Sequence, residues 1–123
     1  MKVLQTTAAP GAIGPYSQGF VTGNLFYTTG QIPLDPVTGE VVGTEITAQA
    51  EQVCKNLGAL LEAAGTNFEK VFKTTCFLAD MNDFAAFNEV YAKYFVSKPA
   101  RSCVAVKTLP KGVLCEIEAI AVK

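Results

Sequence analysis

The chain has 123 residues, half of them apolar, which is enough for one compact domain spanning residues 1–123 and too little for two ordinary ones. Ten basic against eleven acidic residues leave a formal net charge of −1 without a basic stripe, which argues against a nucleic-acid-binding protein. The absence of histidine excludes Ser/His and Cys/His dyads, an imidazole base and a His-ligated metal.

The first predicted element is a β-hairpin over residues 16–31, YSQGFVTGNLFYTTGQ, with Gly23-Asn24 as its two-residue turn. The strands then pair residue by residue on either side of the turn: Thr22 with Leu25, Phe20 with Tyr27, Gln18 with Thr29 and Tyr16 with Gln31. The last two pairs predict a polar cluster at the open end of an otherwise apolar ribbon. Residues 32–43, rich in Pro and Gly, are predicted to form a loop with a short extended piece.

A helix is predicted next, because apolar residues recur at helical spacing from Thr47 onwards. Thr47 is its candidate N-cap, and Gly65 is the candidate residue at which it stops. The stripe predicted to be buried consists of Ala50, Val53, Cys54, Leu57, Leu60, Leu61 and Ala64.

The second half of the chain predicts a strand over 70–81, a helix, and two more strands over 101–107 and 113–122. The helix has Asp83 as a candidate cap and ends before Pro99. Its apolar face consists of Phe84, Phe87, Val90, Tyr91, Tyr94 and Phe95. The order of elements predicts an α+β sandwich with both helices on one face of a mainly antiparallel or mixed sheet.

The last strand is apolar on both faces, which is typical of a strand that is buried on both faces. Cys115, Ile117, Ala119 and Ala121 lie on one side, and Ile120 and Val122 on the other. Because two helices cover only one face of the sheet, we expect another copy of the chain to cover the second face.

The remaining general features point to a cytoplasmic protein that has no membrane partner. The N-terminal sequence MKVLQTTAAPG lacks the apolar core of a signal peptide, and no apolar run approaches the ~20 residues that span a bilayer. The four cysteines have spacings that fit neither a zinc ribbon nor a CxxC pair, so we expect reduced thiols and no metal site.

Arg101 is the only arginine in a chain with nine lysines, and it opens the strand PARSCVAV. It is either a surface residue after a proline turn or a planar fork that grips a ligand carboxylate through two parallel hydrogen bonds. Glu116 and Glu118 interrupt the last apolar strand, either as solvated charges or as a partly buried acid/base. A simple hairpin through LPKG would leave Arg101 and Glu116 about 13 Å apart, so a shared site requires another strand arrangement or a second subunit.

The segments GPYSQG, YTTGQIP, FAAFNEVYAKYF, PARSCVAVKTLPKG and CEIEAIAV, in this order and spacing, resemble the YjgF/RidA family of reactive intermediate deaminases. The resemblance covers essentially the whole chain and is most specific around Arg101 and Glu116. It implies a chorismate-mutase-like (YjgF-like) α+β subunit, a homotrimer whose sheets form a central barrel, and ligand clefts between neighbouring subunits.

The activity that the resemblance implies is hydrolysis of short 2-enamine or 2-imine acids to 2-keto acids and ammonia, a 2-iminobutanoate/2-iminopropanoate deaminase without a cofactor. By position, Arg101 matches the arginine that binds the substrate carboxylate, and Glu116 the carboxylate that positions or activates water. Tyr16 matches the cleft tyrosine, whereas Gly30 and Cys103 match positions whose backbone contacts the ligand. Thr29 stands where the family more often has serine.

Two alternatives remain open at this stage. A non-catalytic protein that binds a small carboxylate in the same cleft and regulates another process would need Arg101 but not the acid/base Glu116. A ribonuclease is the weakest alternative, because the chain is near neutral and has no histidine. A nucleophilic Cys103 is also weakly supported, since no histidine is present to lower its pKa.

Overall fold

One six-stranded sheet and two helices make up the structure, a computed structural model that describes residues 1–123. The strands are β1 (Lys2–Leu4), β2 (Gly19–Thr22), β3 (Leu25–Thr28), β4 (Val71–Leu78), β5 (Ala100–Ala105) and β6 (Cys115–Val122). The helices are α1 (Ile46–Ala63) and α2 (Phe84–Tyr94). The strands are ordered β1-β2-β3-β6-β4-β5, and only the β4/β5 pair is parallel. Both helices pack on one face around a shared apolar core, so the α+β class is confirmed.

The predicted hairpin forms around Gly23, whose φ of +58° suits the first position of a two-residue turn. Thr22 pairs with Leu25 and Phe20 with Tyr27 as predicted, and the Thr29 N–H donates to the Gln18 carbonyl at 2.9 Å.

Of the two pairs predicted to form a polar cluster at the open end of the hairpin, Gln18 with Thr29 is confirmed in the backbone and Tyr16 with Gln31 is wrong. Gln31 forms an antiparallel bridge with Ile117 of β6 instead of pairing with Tyr16. The Gln18 side chain turns towards the N-terminal segment, where it accepts from the Thr6 N–H and donates to the carbonyls of Thr6, Ala9 and Pro10. The four predicted residues therefore do not form one cluster, because Gln31 bonds to β6 and the Gln18 side chain bonds to the N-terminal segment.

Helix α1 buries the whole predicted stripe. Its N-cap position is Glu45, which makes no side-chain capping bond, so the prediction of Thr47 as the cap is wrong by two residues. Its end is confirmed: Gly65 has a φ of +80°, its N–H donates to the Glu62 carbonyl, and the Thr66 N–H donates to the Leu61 carbonyl. This pair of bonds is the Schellman motif, which favours glycine at the position with positive φ.

Strands β5 and β6 do not form the hairpin considered from the sequence, because β4 lies between them. Helix α2 carries the chain from β4 back to the same end of the sheet, so β5 pairs with β4 in parallel. The LPKG segment contains a short 3₁₀ turn, Pro110–Gly112, that leads into β6. Asp83 precedes α2 without a side-chain capping bond.

The second face of the sheet carries apolar side chains that the single chain leaves open to solvent. Tyr27, Phe72 and Val104 are 43%, 44% and 48% exposed, while Ile120 and Val122 on the same sheet are half-buried. Such a surface is costly for an isolated protein in water.

No helix in the structure has the length and apolar character required to cross a bilayer. All four cysteines are free thiols, and three of them are buried in the core. No group of three or more His, Cys, Asp or Glu side chains is arranged to hold a metal ion.

Candidate active site

Arg101 lies on β5, the edge strand, and its half-buried side chain points to the helical face of the sheet. The guanidinium carbon is 4.7 Å from the centroid of the Tyr91 ring and 5.5 Å from that of Phe84. One Nη1–H donates to Asn88 Oδ1 at 2.8 Å. This neutral amide is its only side-chain hydrogen-bond partner, so most of the five guanidinium N–H donors remain available to a ligand.

A groove of about 500 Å³ opens beside Arg101, between the end of α2 and the start of β5. Its walls combine aromatic and aliphatic surface with the Arg101 fork and the Lys98 ammonium. A small anion with a short apolar tail would match this lining, since the charged groups bind the anion and the apolar side chains contact the tail.

Cys103 lies two residues further along β5, with its thiol half-buried. Burial raises the pKa of this thiol, and the nearby Arg101 charge opposes the shift only in part. The thiol is therefore protonated near neutral pH and is a poor nucleophile. The backbone of Cys103 is available to a ligand. The Val106 N–H donates to the Leu78 carbonyl of β4, and backbone groups along a strand point alternately to its two sides. The Cys103 N–H and C=O, three residues away, therefore point outwards from the sheet edge.

Glu116 lies on the opposite face of the sheet, since its neighbours Cys115 and Ile117 are buried against the helices. Its carboxylate covers Gly30 so closely that a Cβ built on Gly30 would lie 2.1 Å from Glu116 Oε2. The Gly30 N–H donates no hydrogen bond within the chain. Thr29, the residue before Gly30, is half-buried.

Tyr16 shares a small cavity of about 40 Å³ with Gly30. Its ring is 49% exposed, and its hydroxyl accepts a hydrogen bond from the Ile13 N–H at 3.3 Å. Tyr16, Thr29, Gly30 and Glu116 thus gather at one end of the hairpin and are called the carboxylate half-site below.

The environment of Glu116 disfavours its charged form. Burial raises its pKa above the ordinary value of 4.5, and the negative charge of Glu118, two residues along the same strand face, raises it further. A carboxyl group of this kind moves protons at a pH closer to neutral than a solvated one does.

We expect Gly30→Ala to displace the Glu116 carboxylate without unfolding the protein. The backbone φ of Gly30 is not in the left-handed region, and the atom that the new methyl would meet is the end of a flexible side chain. Any activity that depends on Glu116 should therefore fall by up to about a hundredfold, the effect of misplacing one catalytic group by about 1 Å. Thermal melting of the purified variant should stay close to wild type; a lowered melting temperature with normal activity would contradict the expectation.

The chain does not bring Arg101 and Glu116 together. They lie on opposite faces of the sheet, with β4 between their strands, since Arg101 pairs with Thr74 and Glu116 with Phe77. This offset of three residues and two strands corresponds to about 14 Å between their Cα atoms. The structure therefore divides the predicted site residues between the carboxylate half-site and an arginine half-site, made of Arg101 and Cys103.

Asn88 is a site residue that the sequence analysis did not single out. It stands on the buried side of α2, one turn after Phe84 and one turn before Tyr91, at a position that carries a polar amide. A polar residue on an otherwise apolar helical stripe is the signal that points to such a position.

Known proteins resemble this chain over its full length. One relative is the mouse 2-iminobutanoate/2-iminopropanoate deaminase, 51% identical over 123 residues, which cover 99% of this chain and 91% of the mouse protein. Another is a Lactococcus lactis protein named as the regulator AldR, 53% identical over 122 residues, which cover 98% of this chain and 97% of that protein.

Solved structures agree with the fold. The crystal structure of E. coli TdcF with bound serine superposes with a TM-score of 0.95 at 46% identity, covering 100% of this chain and 99% of TdcF. The model of the family described as Endoribonuclease L-PSP matches residues 6–123. The chain therefore belongs to the Endoribonuclease L-PSP family, which also carries the name YjgF, and the resemblance and the YjgF-like fold inferred from the sequence are confirmed.

Proposed function

We propose that this protein hydrolyses short 2-imino acids, in equilibrium with their 2-enamine forms, to 2-keto acids and ammonia. The observation that carries the proposal is the pair of half-sites. One presents a guanidinium whose only side-chain hydrogen-bond partner is a neutral amide, and the other a half-buried carboxylate of raised pKa beside an unpaired backbone N–H. The mouse relative's name states the same activity, and TdcF was crystallised with a small amino acid.

The two half-sites are joined, in this proposal, by neighbouring copies of the chain in a homotrimer. The arginine half-site lies on the open edge strand, where the backbone of Cys103 points outwards. The carboxylate half-site lies on the sheet face that exposes Tyr27, Phe72 and Val104. Packing one copy's β5 edge against the next copy's open face would bury that apolar surface and bring a guanidinium to each carboxylate.

The chemistry requires orientation and proton transfer rather than a cofactor. Arg101 grips the substrate carboxylate through parallel N–H donors and thereby fixes the position of the imine carbon. Glu116 accepts a proton as water attacks that carbon and passes it to the nitrogen, which gives a carbinolamine. The hydroxyl proton of the carbinolamine then follows to the nitrogen, the C–N bond breaks, and ammonia leaves as the carbonyl forms. The balance is one imine and one water consumed, with one keto acid and one ammonia released.

The remaining groups of the carboxylate half-site act as hydrogen-bond donors in this proposal. The free Gly30 N–H and the Thr29 and Tyr16 hydroxyls are donors for the substrate or for the attacking water. The methyl group that distinguishes Thr29 from serine narrows the space for the substrate side chain.

A coupled assay tests the proposed function directly. A serine or threonine dehydratase in excess releases the imine, and keto-acid formation is followed with and without this protein. We expect the protein to accelerate keto-acid release beyond the spontaneous rate in water. An unchanged rate with both the serine-derived and the threonine-derived imine would reject the deaminase proposal.

The second candidate is a regulator that binds a small carboxylate without turning it over. The name of the Lactococcus lactis relative favours it, and it uses the same Arg101 groove. The two candidates differ at Glu116, because binding an anion does not need a second negative charge nearby, whereas hydrolysis needs a proton acceptor.

We expect the acid limb of the pH–rate profile to report Glu116. The raised pKa means that the carboxylate loses its ability to accept a proton as the pH falls through a value above 4.5, so kcat/KM should fall there. Glu118→Gln removes the smaller cause of the shift and should move this inflection to lower pH, while burial keeps it above the ordinary value. An inflection that stays in place in Glu118→Gln, after subtraction of spontaneous hydrolysis, would contradict this assignment.

A further inference from the structure

Three side chains from one face of α2 surround the Arg101 guanidinium. Phe84, Asn88 and Tyr91 follow each other at spacings of four and three residues, which places them in line along the helix. The two rings lie 5.5 and 4.7 Å from the guanidinium carbon, and the amide oxygen between them is 2.8 Å from Nη1. The arginine is thus held by α2 rather than by its own sheet.

The aromatic part of this support is itself fixed. The Tyr91 hydroxyl hydrogen-bonds Thr74 Oγ1 of β4 at 2.7 Å, and its ring stacks on Phe95 with the centroids 4.2 Å apart. An aromatic ring that stacks on a guanidinium limits how far the guanidinium plane can tilt. It does not stop the guanidinium from rotating within its own plane, because the attraction to the ring is similar for each in-plane orientation. The hydrogen bond from Arg101 to Asn88 removes this remaining freedom.

The chemical type of the acceptor is equally informative. An aspartate has almost the shape of asparagine and would also hold Nη1, but its charge would cancel that of the guanidinium and compete with a ligand carboxylate for the same N–H donors. An amide oxygen orients the fork and leaves its positive charge intact.

We propose that Asn88 is a positioning residue, a neutral acceptor that sets the in-plane orientation of Arg101 and so directs its free N–H donors at a ligand carboxylate. This inference rests on the proposed function for the identity of the ligand class, and it adds a residue to which that function assigns no role.

The test compares Asn88→Ala and Asn88→Asp with wild type by isothermal titration with 2-oxobutanoate, the keto acid expected from 2-iminobutanoate. Asn88→Ala should bind about tenfold more weakly, the size of one hydrogen bond to a charged group. Asn88→Asp should also bind more weakly, because its charge competes with the ligand carboxylate for the N–H donors of Arg101. The melting temperature of Asn88→Asp should be no lower than wild type, since shape and hydrogen bond are kept. In the coupled assay KM should rise more than kcat falls. The matched control is Asn82→Ala, at an exposed position just before α2, which should leave both the affinity for 2-oxobutanoate and the kinetic constants unchanged.

Weaker binding together with an intact fold cannot come from a merely structural role, so it supports the inference. Wild-type affinity in either folded variant overturns it, and if Asn88→Ala does not fold, Asn88→Asp decides alone. If the wild-type protein binds 2-oxobutanoate but does not accelerate keto-acid release in the coupled assay, the deaminase proposal is rejected while the Asn88 measurement remains valid.

Discussion

Replacing Arg101 with alanine should lower kcat/KM for imine hydrolysis by about a thousandfold, the loss of two hydrogen bonds between charged groups. The fold should persist, because the guanidinium is only half-buried and its stacking on the half-buried Phe84 and buried Tyr91 rings contributes only about 1 to 2 kcal/mol. The coupled dehydratase assay measures the activity, and size-exclusion chromatography with thermal melting measures the assembly and stability.

Two further variants sharpen the Arg101 result. Arg101→Lys keeps the positive charge but loses the planar fork, so it should recover only a small part of the activity. Lys93→Ala removes one positive charge from the exposed side of the adjacent helix and should behave like wild type. Full activity in Arg101→Ala would mean that the substrate carboxylate is bound elsewhere, and it would reject the role proposed for Arg101.

Glu116→Gln should lower kcat by about 100- to 10,000-fold, the range for loss of a general base, while 2-oxobutanoate still binds. The glutamine keeps the size of the side chain over Gly30 and removes only the ability to accept a proton. Titration calorimetry and the coupled assay together separate binding from turnover.

The stability of Glu116→Gln should move in the opposite direction from its activity. Because burial and Glu118 raise the pKa of Glu116, ionising this carboxyl costs folded-state stability increasingly as the pH rises above the ordinary value of 4.5, so this cost is present at pH 7. The melting temperature at pH 7 should therefore be no lower than wild type. Glu62→Gln, at an exposed position in the last turn of α1, is the control for the loss of one negative charge.

The same variant separates the two candidate functions. A deaminase loses turnover in Glu116→Gln and keeps ligand binding. A regulator has no turnover to lose, so the wild-type assay shows no acceleration, and both proteins bind the keto acid alike. Unchanged kcat in Glu116→Gln, alongside an active wild type, would assign proton transfer to another group.

Local patterns in the sequence predicted the elements well. The apolar stripe of α1 and its stop at Gly65 depend on contacts within four or five residues, and the turn at Gly23-Asn24 on two. The N-cap at Thr47 failed because a helix can begin without any side-chain cap when packing of its apolar face supplies the stability. The identity of Arg101 and Glu116 as candidates also came from the sequence, through their rarity and position and through the family resemblance.

What the sequence determined by itself was therefore both helices, every strand except β1, the buried helix faces and the family, since these follow from short-range periodicity and from motifs along one chain. Only the tertiary structure decided that β4 separates β5 from β6, that Gln31 pairs with Ile117, that Asn88 holds Arg101, and that Arg101 and Glu116 face opposite sides of the sheet. These contacts join segments that are far apart in the chain. The local sequence pattern is compatible with several pairing partners for each segment, so the actual partner depends on the packing of all elements at once.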